Sequence, residues 1–317
     1  MSTVFSLIFS ANFLATIIRM TTPIMFASLS GLIVQQAGMM NLAVESTMLT
    51  SALMGVVFSA WTQNAWIGLL GAVITGTLMS GIIGYTGLIL KADMVMNGVA
   101  FNLMMTGGTT FILYLVCGSK GMSSSLQSGV LPKVDIPILK DIPFLGEVLS
   151  GHYLLTYVAV VLTILMHILI FRTKFGLRLR LVGENAAAAE SVGIRSLRMR
   201  MIAMCVSGAM AALGGVYLSM GYVTWFQAGM TNGRGFIGMA AASLGRGTPL
   251  GAFGASALFG TADALAITLS TLSIPSELVS MLPYLATIIG LIVSSVAIKK
   301  RIAQEQKKKS KTEQEAQ

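Results

Sequence analysis

The sequence contains few charged residues and few cysteines. Charged side chains make up 10% of its 317 residues, whereas they make up about a quarter of a soluble domain. Hydrophobic residues account for 55%, and the mean hydropathy is +0.80. These proportions exclude an ordinary soluble domain and indicate an integral membrane protein. The two cysteines, Cys117 and Cys205, both lie in apolar runs, so neither a disulfide framework nor a cysteine metal site is expected.

Sequence motifs for catalysis are also missing. The phosphate-binding pattern Gly-x-x-x-x-Gly-Lys-(Ser/Thr) does not occur, so this chain is not expected to hydrolyse ATP itself. The two histidines, His152 and His167, lie near opposite ends of one apolar run, and no nucleophile–base pair or metal-ligand cluster accompanies them. We therefore expect no catalytic residue, no metal site and no cofactor on this chain, and an enzyme is the least favoured class.

The apolar runs are continuous and do not alternate with polar residues, which favours membrane-spanning helices over a barrel. Several approach the roughly 20 residues that a helix needs to cross about 30 Å of hydrocarbon. They predict an all-α polytopic membrane protein with about nine crossings, within a range of about eight to ten. The predicted spans are residues 6–35, 42–60, 65–90, 95–117, 152–171, 201–220, 225–246, 249–269 and 278–298.

The series of apolar runs is interrupted near the N-terminus and in the middle of the chain. Arg19 and Pro23 interrupt the first apolar run, and proline usually kinks or breaks a helix. Residues 4–18 therefore belong to this crossing, cross separately, or lie along the membrane surface. The hydrophilic stretch 118–151 contains three of the seven prolines and is expected to form the largest external loop.

Basic residues are concentrated in two segments. Residues 172–200 contain seven basic and two acidic residues, the tail 299–317 contains seven basic and three acidic residues, and the rest of the chain is balanced. The positive-inside rule places both segments in the cytoplasm, and the balance elsewhere gives no support to a nucleic-acid partner. An even number of crossings must then separate them, which requires a short or broken helix near 225–246. The N-terminus is then outside and the C-terminus cytoplasmic.

A short motif recurs within the chain. QQAGMMN at 35–41 returns as FQAGMTN at 226–232, with five identities in seven positions. In the expected topology the first copy lies toward the cytoplasm and the second toward the outside. Such inverted repeats are typical of carriers that place the substrate path between the two repeats. A chance recurrence is the alternative.

The cytoplasmic stretch LVGENAAAAESVGI, residues 181–194, predicts a helix of about two turns. Asn185 is a favourable N-cap, and Gly193 followed by Ile194 is typical of a helix C-terminus. A helix this short is marginal alone in water. We expect it either to dock on another protein or to lie on the membrane, where flanking arginines meet lipid headgroups.

KFGLRLRLVGENAAAAESVGI (174–194) resembles the cytoplasmic coupling segment of bacterial ABC importer permeases of the ribose and branched-chain-amino-acid type. TTPIMFASLSGLIVQQAGMMNLAVESTML (21–49) is similar to an early segment of the same superfamily. GRGFIGMAAASLGRGTPLGAFGASALFGTADAL (233–265) and KADMVMNGVAFNLMMTG (91–107) look most like its nucleoside branch. Two positions depart from the family pattern: Ser46 replaces a common glycine, and Ala186 stands where proline or a polar residue is frequent.

The resemblance implies a permease subunit of an ATP-binding-cassette importer for nucleosides in the bacterial cell membrane. Residues 1–298 would form the transmembrane permease domain, with the coupling segment 172–200, and 299–317 a cytoplasmic basic tail. The implied partners are ATPase subunits that hold ATP and Mg, a second permease chain (a paralogue or an identical copy), an external substrate-binding lipoprotein and membrane lipid. The residues implied to couple to the ATPase are Gly183, Glu184, Asn185, Ala188, Ala189 and Gly193.

Polar groups within apolar spans are candidates for the translocation pathway, because they are costly in hydrocarbon and usually face the bundle interior. Neutral amides and an occasional carboxylate would match the hydroxyls and base edges of a nucleoside. The candidates are Asn41, Glu45, Asn97, Asn102, Gln227 and Asp263. Each has a structural alternative: Asn97 as a helix cap near Asp93, Asn102 as an interhelical hydrogen bond, Glu45 as an interface residue, and Asp263 as a partner of Arg234 or Arg246.

Two alternatives to the nucleoside importer are open at this point. The same importer class could carry a simple sugar such as ribose or galactose. A proton-coupled secondary carrier would also fit the inverted motif, and it would require acids such as Glu45 and Asp263 to be exposed to the path. A channel would fit the glycine-rich helices but would leave the predicted docking helix without a role.

Overall fold

The computed structural model describes residues 11–135 and 148–270, together with Leu285 and Ile288. The described parts are mostly helical. In chain order the helices are α1 (Ala11–Gln36), α2 (Val44–Thr62), α3 (Ala65–Leu88), α4 (Met94–Cys117), α5 (Leu154–Arg172), α6 (Lys174–Glu184), α7 (Ala186–Ser191), α8 (Ser196–Val216), α9 (Arg234–Leu244) and α10 (Pro249–Ser270). A π-helical turn, Tyr217–Tyr222, extends α8, and the strands β1 (Lys133–Val134) and β2 (His152–Tyr153) pair antiparallel.

Seven of these helices are long and apolar enough to cross a membrane: α1 to α5, α8 with its π-helical turn, and α10. Each corresponds to a span predicted from the apolar runs, so the polytopic helical architecture is confirmed. The short helix required near 225–246 is α9, whose 11 residues extend about 16 Å at 1.5 Å per residue. The predicted span 278–298, the tail 299–317 and the domain boundary between them lie outside the described residues.

Helix α1 is continuous, so the interruption expected at Arg19 and Pro23 is wrong for the described part of this span. Proline removes one backbone hydrogen bond, but a helix enclosed by neighbouring helices tolerates this loss. Pro23 is buried, and Gly214 of α8 lies against its carbonyl oxygen. Close packing by α8 therefore holds the helix together where an isolated helix would bend.

Helix α1 forms the centre of the bundle, packed against α8, α9 and α10, and α2 and α3 pack against the other side of α8. Small residues permit these contacts: α3 and α8 approach each other at Gly76 and Gly208, where an added Cβ would meet backbone or side-chain atoms of the facing helix. Helix α4 is peripheral, since of its 24 residues only Gly98, Thr109 and Leu113 are buried.

The two ends of the bundle carry different segments. At one end, here called the α6–α7 end, α6 and α7 lie beside the turn after α1. At the other, here called the strand end, the paired strands and the stretch 118–131 cover the end of α8, where the amides of Ser123 and Leu131 donate to the carbonyls of Phe226 and Met220. The two copies of the repeated motif therefore lie toward opposite ends of the molecule.

Candidate functional site

Helices α2 and α9 both begin inside the bundle, and their N-termini meet. The backbone N–H groups of Gly233 and Gly235, at the start of α9, donate to the two carboxylate oxygens of Glu45 at 2.8 and 2.7 Å. Glu45 itself lies in the first turn of α2. Each of the two helices directly follows one copy of the repeated motif. We call this meeting point of two helix N-termini the α2–α9 junction.

The α2–α9 junction lies near mid-length of the bundle. The Nδ2 of Asn41 donates to Oγ of Ser207 at 3.2 Å, and Ser207 lies close to the middle of the 27-residue helix Ser196–Tyr222. Oγ of Ser207 is also 2.8 Å from Oγ of Ser30 in α1. The chain therefore turns back into the bundle after α1, an arrangement that resembles the discontinuous helices of transporters.

Two asparagines fix the N-terminus of α2. Oδ1 of Asn41 accepts from the amide of Ala43 at 3.1 Å. Asn102 of α4 accepts from the amide of Ser46 at 3.0 Å and donates to the carbonyl of Leu42 at 2.9 Å. Because the first amides of a helix have no partner within the helix, these side chains supply the missing acceptors. The interhelical role considered for Asn102 is confirmed.

An ion pair completes the α2–α9 junction. Nε of Arg234, the first residue of α9, lies 3.4 Å from Oδ2 of Asp263 in α10, and the two side chains are 16% and 8% exposed. Each helix N-terminus contributes about half a positive charge. Together with the carboxylates of Glu45 and Asp263 and the guanidinium of Arg234, these groups leave the junction close to electrically neutral.

Two of the six pathway candidates lie away from the α2–α9 junction. Asn97 fastens the α3–α4 hairpin, since its Nδ2 donates to the carbonyl of Ile83 and to Oγ1 of Thr86. The N-cap of α4 is Asp93, so the capping role considered for Asn97 is wrong. Gln227 is exposed at the strand end, where it pairs with Met122.

A cavity of about 290 Å³ opens beside the α2–α9 junction, between the turn after α1 and helix α9. Its lining is mainly apolar with three amide or hydroxyl side chains, a composition typical of small-molecule sites. Of the predicted pathway residues, Asn41 lines it. The lining residues are Gly31, Gln35, Met40, Asn41, Leu42, Phe236, Met239, Ala240 and Ser243. The apolar members were not predicted, although their position beside the two motif copies is a signal that could have found them.

The predicted helix in the cytoplasmic segment is present as α7. Oδ1 of Asn185 accepts from the amide of Ala188 at 3.1 Å, and Gly193 adopts φ +81°, so both predicted ends are confirmed. Helix α6, which precedes it, is absent from the sequence-based prediction. Its buried residues Gly176, Leu179 and Val182 recur every three residues, a spacing that favours an amphipathic helix.

The six predicted coupling residues divide between two surfaces. Ala189 is fully buried, and Gly183 contacts the turn after α1, so these two face the bundle. The other four are exposed on α7 and its flanks: Glu184, Asn185, Ala188 and Gly193. Two large apolar side chains that were not predicted are exposed beside them, Val192 at 66% and Leu197 at 47%.

The described residues thus form a polytopic helical bundle in which the two motif copies lead to one junction beside a cavity, with a capped surface helix at one end. The chain belongs to the family of permease components of branched-chain amino acid transport systems, whose family model matches residues 13–292. It is therefore a multi-pass protein of the cell membrane and a transport component, not an enzyme.

Several relatives are similar to this chain over most of its length. The guanosine ABC transporter permease protein NupQ of Bacillus subtilis is 34% identical over 280 residues, which are 85% of this chain and 87% of NupQ. The nucleoside ABC transporter permease protein NupC of Lactococcus lactis subsp. cremoris is 31% identical over 288 residues, 87% and 90% of the two chains. A solved metal-chelate type ABC transporter in an inward-facing conformation shares the fold, with a TM-score of 0.51 at 15% identity over 90% of this chain and 85% of that one.

Proposed function

We propose that this chain is a permease subunit of an ABC importer and forms part of the translocation pathway for nucleosides. The observation that supports this most directly is the cavity between the turn after α1 and helix α9. It lies beside the α2–α9 junction, in a chain similar over 85% of its length to a guanosine permease. The pathway residues we propose are Asn41, which lines the cavity, and three residues of the adjacent α2–α9 junction, Glu45, Asn102 and Asp263. Asn97 and Gln227 are assigned to structural roles.

The charge of the α2–α9 junction favours an uncharged solute. In transporters with discontinuous helices, free helix N-termini point toward anionic substrate groups. Here the carboxylate of Glu45 accepts from both α9 amides, and Asp263 lies against Arg234. Among the described residues of the junction, therefore, neither helix N-terminus nor a guanidinium is left free for a phosphate. A nucleoside, which lacks the phosphate of a nucleotide, suits such a site.

The cavity lining favours a nucleoside over a sugar. Phe236, which is 44% exposed, presents an aromatic ring, and Met239 adds a polarisable thioether beside it. A nucleobase can stack on these groups, and the ribose can bond to the amide of Asn41 or Gln35. A simple sugar would use only the polar part of this lining.

The acids of the α2–α9 junction argue against a proton-coupled carrier. Such a carrier needs a carboxylate that exchanges protons with the path. Both carboxylates are held by other groups in the described structure, that of Glu45 by two backbone amides and that of Asp263 by a guanidinium. Their contacts fit fixed structural charges.

The proposed topology has nine crossings, with the N-terminus outside and the C-terminus in the cytoplasm. The basic segment 172–200 contains α6 and α7, so we place the α6–α7 end in the cytoplasm and the strand end outside. The seven long helices, the short helix α9 and the predicted span 278–298 supply the crossings. The two motif copies then approach the α2–α9 junction from opposite sides of the membrane.

An ABC permease implies ATPase subunits and a second permease chain, which we take to be a paralogue. ATP and Mg would bind on the ATPase subunits, which we place on the exposed surface of α7. An external binding lipoprotein would deliver the nucleoside at the strand end, and membrane lipid would surround the peripheral helix α4.

Competition for uptake tests the substrate class. In cells that express the complete importer, uptake of labelled guanosine should be reduced by excess unlabelled uridine or adenosine. Excess ribose, galactose, leucine or guanosine monophosphate should leave it unchanged, because each lacks either the base or the neutral charge. Competition by ribose or galactose that equals competition by uridine would instead identify a sugar importer.

Phe236→Ala should weaken nucleoside transport without unfolding the protein. The ring is partly exposed, so its removal leaves only a small cavity. The lost stacking contact of about 0.5–1.5 kcal/mol corresponds to a rise of roughly twofold to twelvefold in the half-saturation concentration. The control is Phe111→Ala on the peripheral helix α4, where the side chain is 62% exposed. Equal half-saturation concentrations for the two variants would contradict a stacking role.

A further inference from the structure

The turn that follows α1 lies directly against the last turn of α6. Gly38 has φ +71°, and a Cβ added there would lie 2.6 Å from the carbonyl oxygen of Gly183. A Cβ added at Gly183 would overlap the carbonyl oxygen of Gln36. The two backbones therefore touch with no side chain between them, so relative movement cannot be absorbed by a change of rotamer.

Residues 36–38, here called the 36–38 turn, are also held by two other elements. Nε of Arg200, in α8, donates to the carbonyl of Ala37 at 3.3 Å. Nε2 of Gln36 donates to the carbonyl of Gly247, between α9 and α10, at 2.5 Å. The 36–38 turn thus joins α6 to α8 and to the connection between α9 and α10.

The same turn leads directly into the cavity. Met40 and Asn41 line it two and three residues after Gly38, and Glu45 caps α9 four residues further on. Gln35, one residue before the turn, donates to Oγ of Ser243 on the opposite cavity wall at 3.0 Å. A displacement of the 36–38 turn therefore changes the position of the cavity-lining residues and the hydrogen bond between Gln35 and Ser243.

We propose that the Gly38–Gly183 backbone contact transmits movement of α6 and α7 to the cavity, and that the two glycines are positioning residues for coupling. This inference rests on the proposed function, because the movement comes from the ATPase subunits. The coupling segment is also continuous with α8, which reaches the cavity lining near its own middle, where Ser207 accepts from Asn41 at 3.2 Å. The 36–38 turn provides the direct connection between α6 and the cavity.

The test compares Gly183→Ala with Gly107→Ala in the complete importer reconstituted with its ATPase subunits and binding protein. Gly107 lies on α4 with open space around its Cα, so its variant is a matched control. We expect both variants to retain the ATPase subunits and to hydrolyse ATP. Guanosine transported per ATP hydrolysed should fall by at least about tenfold in Gly183→Ala alone, within the usual range of allosteric coupling.

A purely structural role predicts a different pattern. Uptake and ATP hydrolysis would then fall in the same proportion, and this result would overturn the inference. Full uptake and full ATP hydrolysis in Gly183→Ala, with an unchanged ratio of guanosine transported per ATP hydrolysed, would also overturn it. The unmodified protein tests the proposed function separately. If it copurifies without ATPase subunits, or takes up guanosine without ATP, the proposed function itself is wrong.

A reversible cross-link decides the matter if Gly183→Ala does not assemble. Gln35→Cys and Ser243→Cys are introduced after Cys117→Ser and Cys205→Ala remove the native thiols. Oxidation would tie the 36–38 turn to α9. Because both positions line the cavity, uptake is compared with that of the reduced double-cysteine variant. We expect oxidation to stop the uptake of that variant while ATP hydrolysis continues, and reduction to return uptake to its starting level; oxidation should not change uptake by either single-cysteine variant. Full uptake in the cross-linked protein would show that the turn does not need to move.

Discussion

Replacement of Gly183–Glu190 with a Gly-Ser linker of equal length should release the ATPase subunits and abolish ATP-driven uptake. The linker removes the Asn185 cap and the alanines that form α7. A short rigid helix transmits the movement of the ATPase subunits to the bundle, whereas a flexible linker does not. The measurement is the amount of ATPase that copurifies from the native membrane with the permease. We expect it to fall to background.

A point variant separates loss of contact from loss of folding. Ala188 is exposed on α7, so Ala188→Glu should leave the fold intact and reduce the copurifying ATPase by about tenfold or more, as expected for a charge placed in a close interface. Ala92→Glu, at an exposed alanine between α3 and α4, is the matched control. Equal recovery of the ATPase from both variants would argue against α7 as its docking site.

Glu45→Gln should be the most damaging conservative substitution within the bundle. The carboxylate accepts two backbone hydrogen bonds from the start of α9, and hydrogen bonds to charged groups contribute about 1.5–3 kcal/mol each. An amide has one acceptor oxygen and no charge, so one of the two α9 amides loses its partner. We expect lower thermal stability of the purified protein and uptake reduced by about tenfold or more.

Asp93→Asn provides the comparison for this substitution. Asp93 also accepts two amides at a helix N-terminus, those of Val95 and Met96, but it caps its own helix α4 and is exposed. Asparagine is about as good an N-cap as aspartate, so stability and uptake should change little. If Glu45→Gln behaved like Asp93→Asn, the α2–α9 junction would not be a critical part of the pathway.

The seven long helices and their approximate ends follow from hydrophobicity alone, because a bilayer requires long apolar runs and satisfied backbone groups. Even the short helix α9 can be predicted, since the charges on its two sides require an even number of crossings. The break expected at Pro23 does not occur, because local propensity does not include the support that α8 gives to α1.

The site is predictable only in part. Asn41 and Asn97 are the same residue type in similar apolar surroundings, and only the fold shows that one lines the cavity while the other fastens a hairpin. The cavity residues Met40 and Phe236 look like ordinary core residues in the sequence. The Gly38–Gly183 contact joins positions far apart in the chain, and nothing local to either glycine indicates it.

The most direct test of the importer assignment is transport by the purified complex in sealed liposomes. We expect labelled guanosine to accumulate only when this chain, its partner permease, the ATPase subunits, ATP with Mg and the loaded binding protein are all present. A proton gradient should neither replace nor increase the effect of ATP. Guanosine accumulation driven by a proton gradient through this chain alone would contradict it.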